Sequence, residues 1–167
     1  MKANIFVVAL LVLCFGCTSQ QPEQLTPQQM DQIKSEVRVV VDSILVSFGR
    51  LDGTAALQYW WDSPEFIAYN IDGSRADFQA NKKTTMDFVN SASTFKLATI
   101  REDFPVVTKD LVICAWVGKQ EASLKSGDKL TWDPDATTFV FRKIAGQWKA
   151  IYTHESAMFT TQKVGKK

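Results

Sequence analysis

Apolar side chains recur every three or four positions between residues 30 and 48, and this spacing predicts an amphipathic α-helix. The stripe consists of Met30, Ile33, Val37, Val40, Val41, Ile44, Leu45 and Phe48. Thr26 is a favourable N-cap, Pro27 suits the first helical position, and Gln29 completes a capping-box pattern. Gly49 is expected to end this helix.

A second group of elements is predicted between residues 55 and 89. A short helix is expected from Ala55 to Trp60, and Ser63-Pro64 is expected to prevent it from continuing. The stretch "EFIAYNIDG" predicts a strand that enters an Asp-Gly turn. A longer helix follows, with Ser74 as N-cap and Asp77 three residues later. The residues that share one face of this helix are Phe78, Thr85, Met86 and Val89.

From Thr94 onward the pattern changes to long β-rich segments. The turn signals between them are Phe104-Pro105, Lys109-Asp110, Ser126-Gly127-Asp128 and Ala145-Gly146. Because short connections join antiparallel neighbours, these segments predict a meander. The order helix, short helix, strand, helix and meander predicts one α+β domain, in which helices pack on one face of a curved antiparallel sheet.

The N-terminus has a different composition. Lys2 precedes an apolar run of eleven residues, Ile5 to Phe15. A membrane-spanning helix needs about 20 apolar residues, so the run fits a secretory signal peptide better than the alternative, a short membrane anchor.

Gly16-Cys17 resembles the lipobox of bacterial lipoproteins, although Cys14 and Phe15 replace the leucine and small residue that usually precede it. The resemblance implies a signal peptide at 1–16 and a polar tether at 17–25. It also implies a lipid anchor on Cys17 and a place in the cell envelope, on the periplasmic or extracellular side of a membrane.

The net charge and the cysteine content indicate which partners and which covalent links the protein is expected to lack. Cleavage after residue 16 removes Lys2 and leaves 18 of the 19 basic residues against 18 acidic ones. A net charge near zero argues against a nucleic-acid partner, since phosphate binding requires a basic excess. Cys114 lies in an apolar run and is predicted to be a buried small hydrophobe without a disulfide partner.

Motifs for cofactors and metals are missing from the sequence. It contains no P-loop, dinucleotide fingerprint, zinc-ligand spacing or serine elbow, so neither a cofactor nor a metal is predicted. Asp133 and Asp135 in "WDPD" are interpreted as a turn, because two carboxylates supply too few oxygens for Ca²⁺.

Three stretches carry a resemblance to a known superfamily: "GRLDGTAALQYWWDSPEFIAYNIDG", "RADFQANKKTTMDFV" and "TFVFRKIAGQWKAIYTHES". Their order resembles the nuclear transport factor 2-like proteins, which include ketosteroid isomerase-like and SnoaL-like members. The resemblance implies an α+β cone over residues 26–158, followed by a flexible tail at 159–167. It also implies a cavity between the helices and the concave face of the sheet, and a homodimer as one possible assembly.

Alternation along the last strand puts Trp148, Ala150, Tyr152, His154 and Ser156 on one face. The resemblance implies that this face lines the cavity. His154, the only histidine, is then the candidate acid–base residue, with Asp103 as a second one. The predicted ligand-binding residues are Tyr59, Trp60, Tyr69, Trp116, Tyr152 and His154. Core packing for the aromatic residues, a structural hydrogen bond for His154 and a solvated turn for Asp103 remain as alternatives.

Three functions fit these observations. The first is a cell-envelope lipoprotein that binds a small molecule, and a cavity lined mainly by aromatic side chains would favour it. The second is an isomerase or dehydratase, which His154 and a buried carboxylate in the cavity would favour. The third is a non-catalytic dimerisation module, which a closed, dry cavity would favour. The sequence leaves open whether the protein is an enzyme.

Overall fold

The computed structural model describes residues 24–164. The predicted signal peptide and the predicted lipid anchor Cys17 lie outside the described residues. The helices are α1 (Pro27–Gly49), α2 (Gly53–Leu57) and α3 (Phe78–Ser91). The strands are β1 (Ile67–Tyr69), β2 (Arg75–Ala76), β3 (Ala92–Val107), β4 (Leu111–Leu124), β5 (Lys129–Ile144) and β6 (Gln147–Gln162).

The described strands form one curved, unclosed sheet in the order β2-β1-β6-β5-β4-β3. The four long strands pair antiparallel, as predicted from their short connections. Strand β1 instead pairs parallel with β6, so the sheet is mixed rather than wholly antiparallel. The predicted α+β fold, with helices against a curved sheet, is confirmed.

Helix α1 has the predicted capping box. The Gln29 N–H donates to Thr26 Oγ1 at 3.2 Å, and the Thr26 N–H donates to Gln29 Oε1 at 2.8 Å. The helix ends at Gly49, as expected. Its buried residues belong to the predicted stripe and are Ile33, Val37, Val41 and Ile44.

The core lies between the helices and the inner face of the sheet. Its fully buried side chains include Val37, Phe66, Val112 and Phe141. Cys114 is also fully buried, and burial raises the pKa of its thiol to about 12, so the prediction of a small buried hydrophobe is confirmed.

Four local predictions are wrong. Helix α2 ends at Leu57 instead of Trp60. The N-cap of α3 is Asp77, whose Oδ1 accepts the Ala80 N–H at 2.8 Å, because Arg75–Ala76 pairs with β1. Phe104-Pro105 and Asp133-Pro134 make no turns. Both lie at register shifts inside long strands, where a bulge accommodates a proline that cannot donate to the ladder.

A β-bulge in β6 determines which residues face the core. Ala150 pairs with Phe141 and Tyr152 pairs with Val140, so Ile151 is the extra residue. One extra residue reverses the alternation beyond it. Trp148 and Ala150 therefore face inward before the bulge, and Thr153 and Glu155 face inward after it. Strand β6 also continues past the predicted domain boundary at Met158 to Gln162, so residues 159–162 belong to the sheet.

Candidate functional site

A cavity of about 580 Å³ lies between α1, α3 and the inner face of the sheet. This volume falls within the range of roughly 300–1,000 Å³ that is usual for small-molecule sites. The aromatic side chains that line it are Phe48, Trp60, Tyr69, Phe88, Phe95, Trp116, Trp132, Phe139 and Phe159.

Six of these rings form a continuous surface, which we call the aromatic wall: Phe48, Trp60, Phe88, Phe95, Trp132 and Phe159. The ring centroids of Phe88 and Phe95 are 4.8 Å apart, and those of Trp132 and Phe159 are 5.1 Å apart. Phe95 joins the two pairs, with its centroid 6.1 Å from that of Trp132. These separations are typical of favourable aromatic pairs, so the wall is a packed apolar surface.

Trp116, on β4, is held in the cavity lining by the sheet. It is 1% exposed, and its indole N–H donates to Thr99 Oγ1 at 2.9 Å. Its ring lies over Gly118, where an added Cβ would overlap the indole carbons. The missing side chain at Gly118 therefore allows Trp116 to lie along the sheet.

Two carboxyl groups lie together on the inner face of the sheet. Glu155 lines the cavity, and burial, reinforced by the neighbouring Asp135, raises its pKa to about 7. Asp135 is fully buried, and burial raises its pKa to about 6, although a hydrogen bond from Gln120 opposes the rise. Near neutral pH, these two carboxyl groups are therefore partly protonated, whereas ordinary carboxyl groups are fully ionised.

Buried polar atoms without partners lie at the same site. Gln120 Nε2 donates to Asp135 Oδ2, whereas Asp135 Oδ1 has no hydrogen-bond partner among the described residues. Asn81 Nδ2, from α3, is a buried donor that also lacks one there. Unpaired buried polar atoms are costly. Asn81 and Glu155 line the cavity and are therefore positions where a bound molecule could form hydrogen bonds, whereas Asp135 lies behind the lining.

Three of the predicted ligand-binding residues line the cavity: Trp60, Tyr69 and Trp116. Trp60 is brought there by a parallel bridge to Ala150. Tyr69 is 37% exposed, and its ring also contacts the rings of Tyr152 and His154. Tyr59 packs against the core but does not line the cavity.

His154 and Tyr152 do not line the cavity, because the bulge at Ile151 turns them to the outer face of the sheet. The expectation that His154 faces the interior is therefore wrong. Its side chain is exposed, and its ring meets Tyr69 edge-on with centroids 6.0 Å apart. Asp103 is also exposed and outside the cavity, and its Oδ2 lies 2.8 Å from Arg101 Nε.

Sequence reasoning missed Asn81, Gln120, Trp132, Asp135 and Glu155. A usable signal was present for Asp135. It stands two residues before Thr137 and four before Phe139, on the alternation that continues to the buried Phe141. This alternation puts Asp135 on the same face as the buried Phe139 and Phe141, which is the signal for an inward-facing carboxyl group. For Glu155 no comparable signal exists, since its inward orientation depends on the bulge.

Residues 24–164 lack two further features, a membrane-spanning helix and a metal-binding cluster. No helix there is both long and apolar enough to span a bilayer. The same residues contain no cluster of three or more histidine, cysteine, aspartate or glutamate side chains suited to hold a metal ion.

Fold and cavity together define an α+β cone with an aromatic-lined internal pocket. No family model matches the chain, and no curated protein matches it. Similar solved structures include a nuclear transport factor 2-like superfamily protein from Salmonella enterica, at 17% identity and a TM-score of 0.68, covering 81% of this chain and 95% of that one. The chain therefore has the nuclear transport factor 2-like fold, as its sequence predicts.

Two further similar structures have names that point to different roles. One is a provisionally assigned scytalone dehydratase from Novosphingobium aromaticivorans, at 9% identity and a TM-score of 0.70, covering 84% of this chain and 93% of that one. The other is a provisionally assigned calcium/calmodulin-dependent protein kinase II association domain from Xanthomonas campestris, at 18% identity and a TM-score of 0.64, covering 83% and 95%. At these identities the likeness concerns the fold, which hosts unrelated functions.

Proposed function

We propose that this protein binds a small, largely apolar organic molecule in the cone cavity. The observation that carries the proposal is the lining of the cavity of about 580 Å³, which is dominated by aromatic side chains. Such sites combine an apolar surface with a few polar groups that orient the ligand. Here Asn81, Gln120 and Glu155 supply those groups.

We further propose that the binding domain is anchored in the cell envelope through lipid on Cys17. The support is the short apolar run that ends in Gly16-Cys17. The described domain begins with α1 at Pro27, so about ten residues separate it from the proposed anchor. A tether of that length would keep the cavity close to the membrane surface.

A fluorescence titration with the neutral dye N-phenyl-1-naphthylamine tests binding. Thr137 lines the cavity, and Thr138, its neighbour on β5, faces the opposite side of the sheet. Thr137→Phe should fill part of the cavity and weaken dye binding by at least about tenfold, whereas Thr138→Phe should leave it within about twofold. Circular dichroism and thermal melts establish that both variants are folded. Equal dye affinity in the two variants would contradict the proposal.

A second candidate function, proton-transfer catalysis, is favoured by one observation. Glu155 lines an apolar cavity and has a pKa raised to about 7, close to the value that suits a general acid or base at neutral pH. Deuterium exchange at the α-carbon of a bound cyclic ketone, followed by NMR, tests this function. Glu155→Gln should abolish exchange while dye binding persists. Exchange at the wild-type rate in that variant would exclude Glu155 as the base.

A homodimer is a separate proposal about assembly, supported only by the resemblance of the sequence. Sedimentation of the domain at several concentrations would measure it directly.

A further inference from the structure

We infer that the ligand of this cavity is an organic cation, such as a protonated amine or a quaternary ammonium compound. The inference rests on the proposed small-molecule function and adds the charge of the ligand. Its basis is the combination of an aromatic surface with acidic side chains, and with no basic side chain among the described residues that line the cavity.

The charges around the cavity are of one sign. Its ionisable lining residues are Glu155, Asp72 at the exposed turn between β1 and β2, and the partly exposed Tyr69. Asp135 lies behind them, fully buried. Helices α1 and α3 and strands β3 and β4 contribute only uncharged side chains to the lining. A negative potential without a countercharge from the described lining favours a positively charged ligand.

The buried carboxyl groups lack the partner that such groups normally require. A carboxylate that is removed from water is stable only when it is paired or well hydrogen-bonded. Among residues 24–164, Asp135 has one hydrogen bond, from the neutral Gln120, and its Oδ1 has none. The raised pKa of Glu155 has burial as its main cause, with the negative Asp135 adding to it. A ligand cation beside Glu155 would supply the missing charge.

The aromatic side chains supply the second half of a cation site. Ammonium groups are attracted to the faces of tryptophan, tyrosine and phenylalanine, most strongly where water is excluded. Glu155 lies opposite Thr137 in the ladder, between the Trp132–Phe159 pair on one side and the Phe139–Thr153 pair on the other. A cation at Glu155 therefore has aromatic rings of the lining on both sides along the strands.

The sign of the pH dependence separates a cation from a neutral ligand. A bound cation stabilises ionised Glu155, so its affinity should rise as pH increases through about 7, the pKa of the free protein. A neutral hydrogen-bond acceptor would need protonated Glu155, so its affinity should fall over the same range. Asp135, whose pKa is about 6, also becomes ionised as the pH rises, so it changes the affinity in the same direction as Glu155. Asp72 has a pKa lowered by hydrogen bonds from Ser74 and stays ionised throughout.

Choline and its neutral isostere 3,3-dimethyl-1-butanol test the inference, because they share their shape and differ in charge. Calorimetric titration of the domain should give choline an affinity at least about tenfold higher than that of the alcohol at about pH 8. The choline affinity should drop by about tenfold between about pH 8 and about pH 5. Glu155→Gln should remove the preference for choline, so that the two compounds bind the variant with affinities within about twofold of each other. Glu121→Gln is the control, since Glu121 is exposed and pairs with Lys119.

Equal or tighter binding of the alcohol would overturn the inference and leave the proposed function intact. Binding of neither compound would also overturn it, and the naphthylamine titration would then decide independently whether the cavity binds apolar molecules. If Glu155→Gln fails to fold, the pH profile of the wild-type protein still decides, because choline affinity that is flat or falls with rising pH contradicts a cation paired with Glu155.

Discussion

Replacing Asp135 by asparagine should make the stability of the protein less dependent on pH, and the size of the effect follows from the buried position of Asp135. Burial raises the pKa of this carboxyl from its ordinary value of 3.8 to about 6. Each tenfold change in proton affinity corresponds to about 1.4 kcal/mol, so the rise corresponds to about 3 kcal/mol. Because burial opposes ionisation, the carboxylate form destabilises the folded state by this order of magnitude.

The direction in which stability changes with pH follows from proton linkage. Unfolded chains release the Asp135 proton near pH 4, whereas the folded protein keeps it until about pH 6. The contribution of Asp135 to stability is therefore fully present below about pH 4 and is lost as pH rises through about 6. Asparagine has no proton to release and preserves an acceptor for Gln120. The free energy of unfolding of Asp135→Asn, relative to the wild type, should thus increase by up to about 3 kcal/mol between about pH 4 and about pH 8.

Urea denaturation at a series of pH values and constant ionic strength measures this difference. Asp133→Asn is the matched control, because Asp133 lies two residues away, is exposed and has its carboxylate 3.0 Å from Lys119 Nζ. The control should give no increase with pH. A difference in the free energy of unfolding between Asp135→Asn and the wild type that stays constant with pH would refute the reasoning. It would show that Asp135 ionises as easily in the folded protein as in the unfolded chain.

Two further predictions concern the anchor and the packing of the sheet. Cys17→Ala should move the protein from the membrane fraction to the soluble fraction of cells, and identical partitioning of mutant and wild type would contradict lipid anchoring. Gly118→Ala should lower the free energy of unfolding by about 1–3 kcal/mol, because the new methyl group overlaps the Trp116 indole. An unchanged urea midpoint would show that Trp116 moves aside without cost.

Local chemistry explains why much of the fold was predictable. The capping box at Thr26 and the apolar stripe of α1 are encoded within a few residues of each other, so the helix bounds follow from the sequence. The buried state of Cys114 follows from its apolar neighbours. The turn at Ala145-Gly146, where both residues have positive φ, is likewise a local signal.

The candidate site was less predictable because it depends on strand register. Simple alternation put His154 toward the cavity and Glu155 away from it, and the bulge at Ile151 reverses both. Nothing within the last strand marks Ile151 as the extra residue, since the bulge arises from pairing with β5. The "WDPD" pattern predicts a turn at Asp135, whereas the strand continues through Pro134 with a register shift. Long-range pairing, not local propensity, therefore determines the polar part of the site.

The central claim, that the cone cavity is the binding site, can be tested at the five tryptophan side chains. Trp60, Trp116 and Trp132 line the cavity, whereas Trp61 and Trp148 do not. Trp148 instead donates its indole N–H to Glu36 at 2.9 Å. In a ¹⁵N-labelled domain titrated with unlabelled indole, a small planar probe, the indole N–H resonances of the three cavity tryptophans should shift together along one saturable curve, while that of Trp148 stays fixed. Shifts confined to Trp61 and Trp148, or no saturable shift at the three cavity tryptophans, would contradict the account.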